Sequence, residues 1–96
     1  MQRITKADLE GVCRMINKLT GSPEEPYTKG EDGQWKPNGG CFHLDWAYGG
    51  VGLQRMAKTG SGTEKILGGF MPKRELYEKM HAMIQGIHAG TKNYAA

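Results

Sequence analysis

Cysteine is nearly absent from this chain. Cys13 and Cys41 are the only two in 96 residues, and they have none of the dense spacing of a disulfide-stapled secreted domain, so a reducing compartment fits best. No apolar run approaches the ~18 residues of a membrane span. The opening Met-Gln-Arg-Ile-Thr-Lys leads straight into a polar helix signal, so neither export nor membrane insertion is expected and a cytoplasmic location is. Metal-ligand pairs are missing too: there is no Cys-x-x-Cys and no His-x-x-x-His, which leaves a zinc-type site without a local nucleus. No internal repeat and no extended low-complexity segment occurs.

Apolar residues are scarce at 38%, while glycine reaches 15. That composition predicts one small domain over residues 1–96, with a single modest core built from short elements and many tight turns. Such a chain gains from oligomerisation. The net charge of +3 is mild but uneven: residues 1–48 hold six basic against seven acidic side chains, and residues 49–96 hold seven against three. An anionic ligand or a phosphate backbone suits the second half better.

What is present reads clearly in places. Thr5 can cap a helix over Lys6 to Leu19, with Asp8 at the third position and Ile4 stapling onto Leu9. Leu9, Val12, Cys13, Ile16 and Leu19 share one face, and Gly21 and Pro23 end the helix. Residues 22–40 form a long loop, in which Asp32-Gly33, a hairpin-type dipeptide between Thr28 and Trp35, allows two very short strands. Next comes the most unusual stretch, Asn38 to Val51, whose alternation puts Phe42, Leu44, Trp46 and Tyr48 on one strand face and Cys41, His43, Asp45 and Ala47 on the other.

Gly49-Gly50 then suits a two-residue turn to a returning strand over Val51 to Lys58, with Trp46 opposite Leu53, Tyr48 opposite Val51, Asp45 opposite Gln54 and His43 opposite Met56. A turn at Thr59 to Gly62 and a third strand over Thr63 to Leu67 follow. Gly68-Gly69 breaks that strand, and Pro72 suits the first turn of a helix ending near His88, with Leu76, Tyr77, Met80, Met83, Ile84 and Ile87 inward. The tail, 90–96, is expected to fray. The fold class is therefore α+β: helix, long loop, three-stranded antiparallel meander, helix, with both helices on one sheet face.

Candidate chemistry centres on His43 and Asp45, two apart on one strand face. A carboxylate beside an imidazole can serve acid–base work, but no nucleophile accompanies them, and a ligand-contacting or structural histidine is the better reading. Cys41, His43, Asp45 and His81 can be written as a metal set, yet a strand Cys-x-His-x-Asp lacks the tight turn that lets ligands converge; no metal and no cofactor is expected. Gly60-Ser61-Gly62-Thr63 lacks the spacing of a phosphate loop and reads as a hairpin turn.

Lys73 and Arg74 oppose the helix dipole in a first turn, so they, with the backbone donors after Gly68-Gly69, form a candidate anion site; the bland alternative is a surface pair offset by Glu75 and Glu78. Arg55 and Lys58 beside the aromatic strand suggest a nucleotide platform, though core packing explains that face more simply. Trp35 and Tyr27, on the loop, are free to act as ligand lids. The Met80 and Met83 stripe reads as core.

Ile16-Asn17-Lys18-Leu19-Thr20-Gly21-Ser22-Pro23 with Pro26-Tyr27-Thr28, the run Gly40-Cys41-Phe42-His43-Leu44-Asp45-Trp46-Ala47-Tyr48-Gly49-Gly50 and the helix start Met71-Pro72-Lys73-Arg74-Glu75-Leu76-Tyr77 together resemble a family of small, largely uncharacterised proteins of tailed bacteriophages and prophages. Where that family often has Asn-Tyr before the His, this chain has Cys41-Phe42. The resemblance spans most of residues 4–88 and carries no catalytic or binding residues with it. It implies a non-enzymatic accessory protein of host takeover or counter-defence, in the cytoplasm of an infected bacterium. The expected ligand is an anionic nucleotide-like molecule held by His43, Asp45, Arg55, Lys58, Lys73 and Arg74. The alternatives are a host-protein inhibitor and, from the helix–three strands–helix order, a double-stranded-RNA-binding-like module; a small hydrolase or lyase on His43 and Asp45 is a further reading.

Overall fold

A computed structural model describes residues 3–58 and 62–95, the side chains of 91–95 excepted. The first helix, α1 (Lys6–Thr20), begins on the expected capping box: the Thr5 hydroxyl accepts from the Asp8 N–H at 3.1 Å and the Asp8 carboxylate accepts from the Thr5 N–H at 2.8 Å. Gly21, at φ 70°, closes it in the left-handed conformation. Leu9, Val12, Cys13 and Ile16 are buried as the spacing requires; Leu19 is 37% exposed, and Asn17 is buried beside Ile16 instead.

The long loop contains the two short strands, β1 (Tyr27–Lys29) and β2 (Trp35–Pro37), paired antiparallel. Every residue of both is exposed. A two-stranded ribbon has little stability of its own in water, and this one is tied at its base by Asn38. The Asn38 N–H donates to the Pro26 carbonyl at 2.8 Å, and its side-chain amide donates to Glu25 O and Thr28 Oγ1.

The second sheet is the expected meander, in the order β3 (Phe42–Ala47), β4 (Gly50–Met56), β5 (Thr63–Met71). Its first turn falls one residue earlier than Gly49-Gly50. Tyr48 (φ 54°) and Gly49 (φ 72°) are both left-handed, the mirror-image turn that matches strand twist. The register shifts by two residues as a result: Trp46 pairs with Val51, Leu44 with Leu53, Asp45 with Gly52 and His43 with Gln54. A shift of two preserves which face each side chain occupies. The expected core positions nonetheless fail at the turn, where Tyr48 is 94% exposed and Trp46 40% exposed.

Gly68-Gly69 does not end β5. Between the pairs Leu53–Ile66 and Val51–Met71, β4 spends one residue and β5 four, a bulge in which Leu67 (φ 62°) and Gly68 (φ 100°) are left-handed. Opposite it, Gly52 has no room for a side chain to spare, since a Cβ would lie 3.3 Å from the Gly69 carbonyl oxygen. Of the expected turn before β5, residues 59–61 lie outside the described residues.

The last helix, α2 (Lys73–Ala95), starts after Pro72, whose carbonyl accepts the Leu76 N–H, and continues through Gly90, well past the expected end near His88. Both helices bury their apolar stripes on the same side of the meander. Leu9, Val12 and Ile16 of α1 and Leu76, Met80 and Ile84 of α2 form one core with Phe42, Val51, Leu53 and Met71, and Met83 packs against it. The result is a two-layer α+β fold.

Candidate functional site

The polar residue inside α1 organises the first part of the site. Asn17 reaches the outer edge of β3, where its Oδ1 accepts from the Phe42 N–H at 2.7 Å and its Nδ2 donates to the Phe42 carbonyl at 2.9 Å. The amide thus stands where a neighbouring strand would. Around it lie both thiols: the Cys13 Sγ is 3.3 Å and the Cys41 Sγ 3.4 Å from that same carbonyl oxygen. Burial pushes the Cys13 thiol up to about 12, with Cys41 adding to the effect. Burial raises the Cys41 thiol as well, with Glu25 adding to it. Thiols held protonated in this way are poor nucleophiles and poor metal ligands.

The expected site residues separate into several groups. His43 and Asp45 are on the sheet face away from the core, but the Asp45 carboxylate accepts from the Gln54 amide at 3.0 Å, and the enclosed Nε2 of His43 has no hydrogen-bond partner. Arg55 sits on the opposite face, paired with Phe42, its guanidinium 4.8 Å over that ring and its Nε donating to the Gly40 carbonyl. Lys58 shares a cleft with Arg55 and with Glu64, which β5 places opposite Arg55. Lys73 and Arg74 come two and three residues after Met71, which pairs with Val51 at the other end of β4. Four residue steps, about 13 Å of extended chain, separate Val51 from Arg55. One electropositive hollow holding all four cations is not formed.

Trp35 and Tyr27, expected as ligand lids, lie side by side on the arm. They are 65% and 48% exposed and, with Glu25 and Pro26, line one cleft on the β1–β2 arm. This cleft adjoins a larger groove of about 440 Å³ between α1 and the edge of β3, which shares Glu25 and Pro26 with it. Sequence reasoning missed Asn17, Glu25 and Pro26. A lone amide on an otherwise apolar helix face was the available signal for the first; the other two carried none.

The extended backbone of β3 alternates, so Leu44 and Trp46 turn their N–H and C=O groups the same way as Phe42, outward from the sheet. Among the described residues no other element bonds to them. At the tip of the β3–β4 hairpin, the Tyr48 ring meets Phe70 edge to face at 5.5 Å. Exposed aromatics therefore stand on two hairpins. No helix is long and apolar enough to cross a membrane among the described residues. Compared with known proteins, the chain matches no family model, no curated sequence and no solved structure.

Proposed function

We propose that this chain is a non-enzymatic accessory protein, of the phage type its sequence resembles, that acts by occupying a host protein through the aromatic β1–β2 arm. One observation carries the reading. A ribbon with every residue exposed displays Trp35, Tyr27 and Pro26 around an apolar cleft, and Trp and Tyr are the side chains that most often anchor protein interfaces. Partner binding would bury what the fold leaves in water. The cleft also carries the Glu25 carboxylate, which disfavours an anionic occupant there.

Most of the groups that chemistry would need are otherwise engaged, the enclosed His43 Nε2 excepted. Asp45 is held by Gln54, and both thiols are buried and protonated. A nucleotide-like ligand would have to be held by fewer cations than expected, because Lys73 and Arg74 stand apart from Arg55 and Lys58.

The test is affinity capture from a bacterial extract with the native chain and with the double variant Tyr27→Ser/Trp35→Ser, followed by calorimetry on the purified partner. One protein retained near stoichiometry by the native chain and lost by the variant is expected. Micromolar binding of a cyclic or linear nucleotide, unaffected by those substitutions, would overturn the reading in favour of a small anionic ligand. Duplex RNA binding that falls steeply with salt would overturn it in favour of a nucleic-acid module.

A further inference from the structure

We infer that the open edge of β3 is a self-association surface, onto which a second copy of this chain adds its own β3 antiparallel about a two-fold axis. The edge is available only over part of its length. Asn17 already occupies the outward backbone of Phe42, and the chain turns at Tyr48. That leaves Leu44 and Trp46, two positions with unpaired outward N–H and C=O groups. A two-fold centred on Asp45 pairs Leu44 of each copy with Trp46 of the other, and keeps both Asn17 amides clear of the partner strand.

Charge along the groove selects a second copy over another peptide. α1 runs opposite to β3: Lys6 lies over the Trp46 ring at 5.9 Å, whereas Asn17 meets Phe42. From the Trp46 end to the Phe42 end the groove is lined in turn by Lys6, Glu10, Arg14 and then Glu24 and Glu25, an order of plus, minus, plus and a closing pair of minuses, with Lys6 and Glu10 of one copy 3.9 Å apart. Antiparallel reversal sets Lys6 against Glu25 of the second copy and Glu10 against its Arg14. The pattern is self-complementary, as an isologous interface demands. Exposed ion pairs add little affinity but set register and exclude wrong partners. Trp46, which the fold leaves 40% exposed, becomes buried on both sides. So short an edge makes a small interface, and dissociation in the micromolar range is expected.

Sedimentation equilibrium over a concentration series tests this with a charge swap on exposed side chains. The native chain is expected to form a dimer. Lys6→Glu alone and Glu25→Lys alone should each weaken it on the order of tenfold, because every change recurs twice across the axis, and the double variant Lys6→Glu/Glu25→Lys should restore it. In the native dimer, amide exchange at Leu44 and Trp46 should slow as concentration rises. A chain that stays monomeric to millimolar concentration overturns the inference, as does a dimer indifferent to both single substitutions. Neither outcome touches the arm: capture of a partner through Tyr27 and Trp35 is read separately.

Discussion

Asn17 is the residue whose loss should be felt most. Replacing it with Ala leaves the Phe42 N–H buried without a partner and its C=O with only the weak Cys13 and Cys41 thiol donors, and at ~1–3 kcal/mol for one unsatisfied buried group the expected cost is about 1–3 kcal/mol. Urea denaturation of Asn17→Ala measures it directly; a loss below ~1 kcal/mol would mean that water replaces the amide. Cys13 gives a second residue-scale outcome through pH. Its folded thiol titrates near 12 against 9.0 for an ordinary one, so the unfolded chain releases the proton first. The corresponding stability is complete below pH 9 and declines as pH rises from 9 toward 12. Cys13→Ala should flatten that alkaline decline, and native Cys13 should resist iodoacetamide until the chain unfolds.

Among the elements, the β3–β4 hairpin stores strain that can be released. Tyr48 is a bulky residue at φ 54°, and its 94% exposure shows that packing does not compensate. Tyr48→Asn should therefore stabilise the fold by about 0.5–1 kcal/mol, seen as a higher urea midpoint. If stability falls instead, the edge contact with Phe70 outweighs the backbone. The Gly39 turn is the opposite case. A Cβ there would lie 2.7 Å from the Lys58 carbonyl oxygen and 2.9 Å from its Cα. Backbone cannot give way as a side chain can, so Gly39→Ala should cost roughly 2 kcal/mol or more and lower the thermal midpoint by several degrees.

At the scale of the whole molecule, the body and the arm are separable. The radius of gyration is 14.4 Å, where a compact chain of this length has about 12.5 Å, and the exposed ribbon is one visible reason. Because the Pro26 carbonyl and the Asn38 N–H are already bonded at 2.8 Å, a two-residue link can replace residues 27–37. The truncated chain should keep its thermal midpoint within about 3 °C, since neither strand of the arm buries a residue, and it should lose partner capture entirely. Collapse of the truncated chain in circular dichroism would show that the arm supports the body after all.

Local order was written in the amino acids. Thr5 with Asp8, the 3.6-residue stripe through Leu9 to Ile16, Gly21, the alternation of Phe42 to Ala47 and the stripe from Leu76 to Ile84 each specify a conformation by short-range hydrogen bonding or apolar spacing, so the α+β order follows from them. Tertiary packing decided the rest. The turns at Gly49-Gly50 and at Tyr48-Gly49 put the same side chains on the core face, because a shift by two leaves the local alternation unchanged, so the alternation could not choose between them. Gly68-Gly69 looked like a strand end, yet a bulge could absorb them because Gly52 stood opposite. The separation of Lys73 and Arg74 from Arg55 and Lys58, and the meeting of Asn17 with the edge of β3, are distances between residues remote in the chain. Composition and spacing carry no information about such distances until the core closes.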